Sequence, residues 1–135
     1  MARRESVEVN QSDLLEAART VRKNAYAPYS GFKVGAAVLA EDGRVYTGVN
    51  VENASYGLTT CAERNAVAAA VAAGNRRVTA VAVSGDRPGT MPCGACRQVI
   101  NESGRDTVVI VDGGPEPRVY KIGELLPESF TFDDE

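Results

Sequence analysis

Hydrophobic positions recur at helical spacing in some stretches of the chain and at strand spacing in others. Leu14, Ala18, Val21 and Ala25 lie three or four residues apart, which predicts an amphipathic helix over 11–25. Small and β-branched residues at 34–40 and 45–50 predict two strands, and the residues Glu-Asp-Gly between them are typical of a hairpin turn. The first third of the chain therefore predicts a helix followed by a β-hairpin.

Helices and strands alternate in the rest of the chain. We predict helices over 61–73 and 93–102, a helical turn over 122–126, and strands over 78–84, 107–111 and 118–121. Strands that are separated by helices favour parallel pairing, with the helices on the faces of one mixed sheet. The pattern predicts an α/β fold, a three-layer α/β/α sandwich with a five-stranded mixed sheet. We expect one domain over 1–135, with loosely ordered arms at 1–10 and 131–135.

Composition narrows the class of protein. Hydrophobic residues make up 44% of the 135 residues and charged residues 24%, as in an ordinary soluble protein. The net charge of −3 and the absence of a basic stripe argue against nucleic acid as a partner. The longest apolar stretch, 66–73, is too short to span a membrane, and the amino terminus lacks the apolar core of a signal peptide. An odd number of cysteines then favours reduced thiols and a cytoplasmic location.

The chain has three cysteines and no histidine. Cys61 lies two residues before Glu63, and Cys93 and Cys96 form a Pro-Cys-Gly-Ala-Cys motif. Three thiolates can hold a zinc ion and leave its fourth position open, with the carboxylate beside the metal as an acid/base group. This arrangement is typical of zinc enzymes that activate water. The alternatives are a redox pair, a structural zinc with a carboxylate as its fourth ligand, and three ordinary buried cysteines.

The two-residue spacing constrains the geometry of this candidate site. Residues i and i+2 do not share a face inside a helix, so Cys61 must lie at a helix cap for Glu63 to face the same metal. Zinc with three thiolates carries a net charge of −1, and Arg64 could reach the sulfurs and offset it. A surface salt bridge is the alternative role for Arg64.

Polar residues before the second helix suggest a place for a substrate. Asn50 and Glu52 alternate along the chain and could both hydrogen-bond a polyol, although a solvated loop is the simpler interpretation. Phe32 could stack on a planar ring, although a core position is more common for such a residue taken by itself.

Four stretches of sequence carry a resemblance to a known family. They are 26–38 (YAPYSGFKVGAAV), 50–66 (NVENASYGLTTCAERNA), 92–99 (PCGACRQV) and 124–130 (ELLPESF). Over about residues 11–132 the chain resembles the homotetrameric zinc-dependent cytidine deaminases. The wider group of zinc deaminases usually has histidine as the first ligand, and Cys61 takes that place here, as in the three-cysteine branch.

The resemblance implies hydrolytic deamination of cytidine and deoxycytidine to uridine and deoxyuridine, with release of ammonia, in pyrimidine salvage. It implies one zinc per subunit on Cys61, Cys93 and Cys96, whose hydroxide attacks C4 of the base. Glu63 would move protons from the water to ring nitrogen N3 and to the leaving amine.

The resemblance also implies the substrate contacts. The backbone near Ala62 would touch the base, Phe32 would stack near it, and Asn50 and Glu52 would bind the ribose 3′-hydroxyl. Tyr56 and an aromatic residue near the carboxyl end, either Phe130 or Phe132, would complete a neighbouring subunit's site in a homotetramer.

Three other functions compete with this one. A deaminase of the blasticidin S type shares the Cys-Ala-Glu and Pro-Cys-Gly-x-Cys-Arg motifs, but 50–56 (NVENASY) favours an ordinary nucleoside. A deaminase that edits polynucleotides fits poorly with a short acidic chain. A non-catalytic zinc module would explain the cysteines, but it would explain neither Glu63 nor the Asn50 and Glu52 pair.

Overall fold

A five-stranded mixed sheet with helices on both faces forms the structure, a computed structural model that describes residues 10–132. The helices are α1 (Gln11–Arg22), α2 (Ala62–Ala72), α3 (Gly94–Asn101) and α4 (Ile122–Leu125). The strands are β1 (Val34–Ala40), β2 (Val45–Val49), β3 (Val78–Gly85), β4 (Val108–Val111) and β5 (Arg118–Lys121). The three-layer prediction is confirmed. Residues 1–9 and 133–135, which hold most of the two predicted arms, lie outside the described residues.

The strand order is β2-β1-β3-β4-β5. β3 and β4, which flank α3, pair in parallel as predicted. β1 pairs antiparallel with both β2 and β3, and β4 pairs antiparallel with β5. β2 and β3 flank α2 and run in the same direction, but β1 lies between them. The crossover through α2 therefore passes over one strand.

The first helix ends earlier than the predicted residue 25. Beyond Arg22 the chain makes two tight turns, in which Asn24 and Ala25 donate to carbonyls three residues back. Tyr26 then forms a bridge with Val51, and its N–H donates to the Asn50 carbonyl at 3.0 Å. The chain leaves the helical conformation before Tyr26 because this residue pairs with a distant part of the chain. The sequence analysis also did not predict the short 3₁₀ helix at Tyr56–Leu58.

Each face of the sheet has its own apolar core. On one face α1 buries Leu14, Leu15 and Ala18 against alternate residues of β1, β3 and β4. On the other face α2 buries three alanines, and α3 and α4 each contribute one isoleucine. Within residues 10–132 no helix has the length and apolar character needed to cross a membrane.

Backbone contact fixes the height of α2 above the sheet. A Cβ added to Gly48 of β2 would lie 2.4 Å from the Ala66 nitrogen and 2.6 Å from the Ala62 oxygen. Only glycine allows strand and helix to approach this closely. The amino end of α2, which carries Cys61 and Glu63, is thereby held against β2.

Candidate active site and metal centre

Two helix amino ends bring the three cysteines together. Cys61 is the N-cap of α2 and Cys93 is the N-cap of α3, both with extended backbone (φ −82°, ψ 154° and φ −71°, ψ 173°). Cys96 lies in the first turn of α3, and its N–H lies 3.5 Å from Cys93 Sγ. Cysteine at a cap places its sulfur beside exposed N–H groups and the positive end of the helix dipole. The cap position that the spacing of Cys61 and Glu63 required is therefore the one observed.

The distances between the sulfurs fit a tetrahedral metal. The Sγ atoms of Cys61 and Cys93 lie 3.8 Å apart and those of Cys93 and Cys96 3.5 Å apart, and all three sulfurs lie within 4.8 Å of one another. Zinc–sulfur bonds of about 2.3 Å in tetrahedral geometry separate two sulfurs by roughly 3.8 Å. Cys93 is exposed, so solvent reaches the cluster from this side.

The surroundings favour a thiolate at Cys61. A hydrogen bond with the Cys96 thiol lowers the pKa of Cys61 to about 5, and Arg64 acts in the same direction. The pKa of Cys96 is raised, first because its proton is held in the hydrogen bond to Cys61 and then by burial. The contacts with Arg64 and between the sulfurs thus favour a thiolate in the cluster, and binding a metal displaces the thiol protons that remain.

Arg64 supplies positive charge to the sulfurs. Its Nη2 lies 3.5 Å from Cys61 Sγ, and this contact raises the pKa of the guanidinium. Its Nε is buried and has no hydrogen-bond partner within residues 10–132. A buried donor without a partner is costly unless a negative group lies nearby. The donor set therefore fits an anionic metal–thiolate cluster better than three neutral thiols.

Glu63 lies behind the cluster and is only 4% exposed. The Cys96 sulfur lies 3.7 Å from Glu63 Oε1. Burial, and then the charge of Cys61, raises the pKa of Glu63 to about 6. A carboxyl group with a pKa near the working pH can both accept and donate protons, as an acid/base catalyst must.

Asn50 binds the chain around Phe32. Its Nδ2 donates to the Phe32 carbonyl at 2.9 Å, and its Oδ1 accepts from the Val34 N–H at 2.9 Å. The Phe32 ring is partly buried, and the Arg87 guanidinium lies over it at 5.4 Å from the ring centre. Asn50, predicted to bind the ribose, is thus hydrogen-bonded to the backbone at Phe32, whose ring is predicted to stack on the base.

Glu52 binds the start of the same loop. Its Oε1 accepts from the N–H groups of Tyr29 at 2.9 Å and Ser30 at 3.1 Å, and its Oε2 accepts from the Ser30 hydroxyl. Hydrogen bonds from Ser30 lower the pKa of Glu52. Glu52 and Tyr56 line one cavity of about 420 Å³, together with Tyr29, Ser30, Asn53 and Thr59.

Phe130 and Phe132 lie in the carboxyl-terminal segment, next to α3. The Phe130 backbone exchanges two hydrogen bonds with the Gln98 side chain, at 2.8 and 3.4 Å. The two rings pack edge to face at 5.4 Å and remain 66% and 89% exposed. Within residues 10–132 the two rings contact one another, and neither lines the cavity that Glu52 and Tyr56 share.

Two residues near the site were missed by the sequence analysis. Ser30 contacts both Glu52 and the Phe32 N–H, and Arg87 stacks on Phe32. No spacing rule connects Ser30 with Glu52, because they lie 22 residues apart on separate loops. A short polar residue directly before the Gly-Phe pair is the signal that could have pointed to Ser30.

The α/β/α sandwich and the cysteine cluster together define a class of protein: zinc hydrolases whose metal is held by thiolates at two helix amino ends, with a buried carboxyl group alongside. Residues 8–112 match the family model of the cytidine and deoxycytidylate deaminase zinc-binding region. The chain belongs to this family. Its cofactor is zinc, and the protein is a zinc-dependent hydrolase.

Individual relatives agree with this membership. A cytidine deaminase of Halalkalibacterium halodurans is 48% identical over 125 residues, which cover 90% of this chain and 94% of the relative. One from Mycobacterium tuberculosis is 51% identical over 111 residues, or 82% of this chain and 81% of the relative. The crystal structure of a cytidine deaminase from Burkholderia pseudomallei superposes with a TM-score of 0.83 at 50% identity, covering 90% of this chain and 99% of that one.

Proposed function

We propose that this protein deaminates cytidine and deoxycytidine by hydrolysis, releasing uridine or deoxyuridine and ammonia, as a step of pyrimidine salvage. The observation that carries the proposal is Glu63, buried beside three convergent thiols with its pKa raised to about 6. The similarity to cytidine deaminases over 90% of the chain supports the substrate class.

Cys61, Cys93 and Cys96 would hold the zinc. A bound zinc supplies a Lewis acid that makes water nucleophilic near neutral pH. Glu63 accepts a proton from the attacking water and gives it to ring nitrogen N3, which makes C4 more electrophilic. Glu63 then takes the second proton of that water and passes it to the amino group, which leaves as ammonia. Arg64 offsets the negative charge of the thiolates throughout.

Asn50 and Glu52 would bind the sugar. Each has hydrogen-bonding capacity left after its contacts with the 29–34 segment: Asn50 one N–H, and Glu52 a lone pair on Oε2. The Phe32 ring and the backbone at Ala62 would contact the base. These roles are consistent with the link between Asn50 and the Phe32 backbone.

We further propose a single-domain subunit that assembles into a homotetramer in the cytoplasm. Several large apolar side chains are exposed, including Tyr56 at 77%, Leu58 at 67% and Phe130 at 66%. Tyr56 packs on the exposed ring of Tyr29 and Phe130 on that of Phe132, and adjoining exposed apolar side chains are typical of protein interfaces. Tyr56 and Phe130 would enter a neighbouring subunit's site, with Phe132 as the alternative to Phe130. The three free cysteines are suited to a reducing compartment.

An absorbance assay tests the function. We expect turnover of cytidine and deoxycytidine, far slower turnover of cytosine because ribose contacts contribute to binding, and none of blasticidin S. Preference for blasticidin S, or equal rates on cytosine and cytidine, would contradict the proposal. Light scattering of the purified protein measures the oligomeric state.

Glu63→Gln should keep the zinc and the fold but lose roughly 10²–10⁴-fold in kcat, since the amide cannot transfer protons. Glu116→Gln, which makes the same change at an exposed glutamate, serves as the matched control and should leave kcat unchanged. A Glu63→Gln enzyme with wild-type kcat would remove Glu63 from the mechanism.

A further inference from the structure

The Ser30 hydroxyl connects the two proposed halves of the nucleoside site. It donates to Glu52 Oε2 and accepts from the Phe32 N–H at 3.0 Å. The Ser30 N–H also donates to Glu52 Oε1 at 3.1 Å. Ser30 therefore contacts both carboxylate oxygens of Glu52, which is proposed to bind the sugar. It also contacts the backbone of Phe32, whose ring is proposed to stack on the base.

The Ser30 hydroxyl fixes the second oxygen of the Glu52 carboxylate, to which no backbone group is bound within residues 10–132. Two backbone N–H groups bind Oε1 of Glu52, whereas Ser30 is the partner of Oε2 within residues 10–132. The terminal torsion of a glutamate is soft and broadly distributed. With only Oε1 held, the carboxylate can pivot about this oxygen through combined changes of the Glu52 side-chain torsions, and Oε2 no longer has a fixed direction into the cavity that Ser30, Glu52 and Tyr56 line.

We propose that Ser30 is a positioning residue for the nucleoside, which orients the Glu52 carboxylate relative to the Phe32 ring. The inference rests on the proposed function and extends it to a residue outside the zinc site. Ser30 acts through Glu52 and Phe32 rather than on the reacting atoms. The sugar is bound in the ground state and the transition state alike, so disorder in Glu52 should weaken binding more than chemistry.

The first experiment separates KM from kcat. Ser30→Ala should raise the KM for cytidine about tenfold, the loss expected for a hydrogen bond to a charged group, with kcat within threefold of wild type. Ser30→Thr keeps the hydroxyl at an exposed position and should restore KM to within threefold. Ser12→Ala, at an exposed serine in the first turn of α1, is the matched control.

A double-mutant cycle tests whether Ser30 acts through Glu52. Glu52→Ala alone should lower kcat/KM at least tenfold, and adding Ser30→Ala should lower it less than threefold further, because the charged partner is already gone and only the contact with the Phe32 N–H is lost. An independent tenfold loss in the double variant would overturn the proposal. So would a Ser30→Ala protein with unchanged KM.

Stability and metal content complete the test. Ser30 is exposed, so Ser30→Ala should melt within a few degrees of wild type and retain about one zinc per chain. A large fall in melting temperature, or loss of zinc, would show that the hydroxyl serves general stability, and would overturn the proposal. A wild-type enzyme that does not deaminate cytidine would instead refute the proposed function itself, so the two failures are distinguished by the wild-type assay.

Discussion

Gly48→Ala should damage both the fold and the metal centre, because β2 and α2 touch through their backbones. The new Cβ would lie 2.4 Å from the Ala66 nitrogen, 2.6 Å from the Ala62 oxygen and 2.9 Å from the Asn65 carbonyl carbon. None of these atoms can rotate away as the end of a flexible side chain can. The helix must move by roughly 1 Å to restore an ordinary contact of about 3.4 Å.

The size of the effect follows from this displacement. Overpacking costs typically about 1–3 kcal/mol, and a forced backbone shift belongs at the upper end. The lower conformational entropy of alanine in the unfolded chain returns only about 0.4–1 kcal/mol. We expect a net loss of about 2 kcal/mol, which lowers the melting temperature of a domain of this size by roughly 8 °C. A shift of α2 also moves Cys61 relative to the two cysteines of α3. Metal–ligand distances vary by only about 0.2 Å, so we expect weaker zinc binding as well.

Two measurements check this prediction: thermal unfolding of the zinc-free protein, and zinc affinity by competition with a coloured chelator. Gly57→Ala is the matched control, because a Cβ there meets no atom within 4 Å. We expect the control to unfold within about 0.5 kcal/mol of wild type. If Gly48→Ala melts like the control and binds zinc equally well, the close contact between β2 and α2 does not position the site.

Two further predictions concern charge. Hydrogen bonds from Arg19, at 3.0 and 3.2 Å, lower the pKa of Asp112 from 3.8 to about 2. The ion pair therefore stabilises the fold fully above pH 3.8, and this stabilisation is lost as the pH falls through 2. The full shift corresponds to roughly 2 kcal/mol, of which we expect about half because Arg19 is partly exposed. Urea unfolding should show Asp112→Asn about 1 kcal/mol less stable at pH 7 and equal to wild type at pH 2; a difference that persists at pH 2 would contradict the charge argument. Arg64→Leu should weaken zinc binding about 10–100-fold in chelator competition, and unchanged affinity would show that the guanidinium is not needed beside the thiolates.

Hydrophobic spacing predicted most of the fold because the helices bury one face against the sheet and the central strands are buried on both faces. β1 begins and ends where its run of small and β-branched residues predicts, since alternate residues face α1 and α2. The end of α1 was predicted three residues too late, because Tyr26 pairs with Val51 and no local pattern reports that pairing. Long-range pairing also sets β1 antiparallel to β3.

The metal cluster could be predicted for a local reason. Cys61 and Glu63 are two residues apart, so both can face one metal only if Cys61 lies at a helix cap. Cys93 and Cys96 are three residues apart, which brings their side chains together in the first turn of a helix. The contacts of Glu52 could not be predicted in this way. They depend on how two loops from different parts of the chain lie against each other, and that is decided by the packing of the elements that carry them.

The contacts of Asn50 and Glu52 give each side chain a structural role beside the sugar-binding role proposed for it. Both side chains already hold the 29–34 segment, which carries Phe32, and each keeps spare hydrogen-bonding capacity. Removing either one would therefore displace the ring proposed to stack on the base and delete a proposed sugar contact together, so a loss of activity in such a variant would report on both contacts at once. Ser30 reaches Glu52 and the Phe32 N–H without being assigned a contact with substrate, so its removal tests the orientation of the carboxylate while that side chain stays in place.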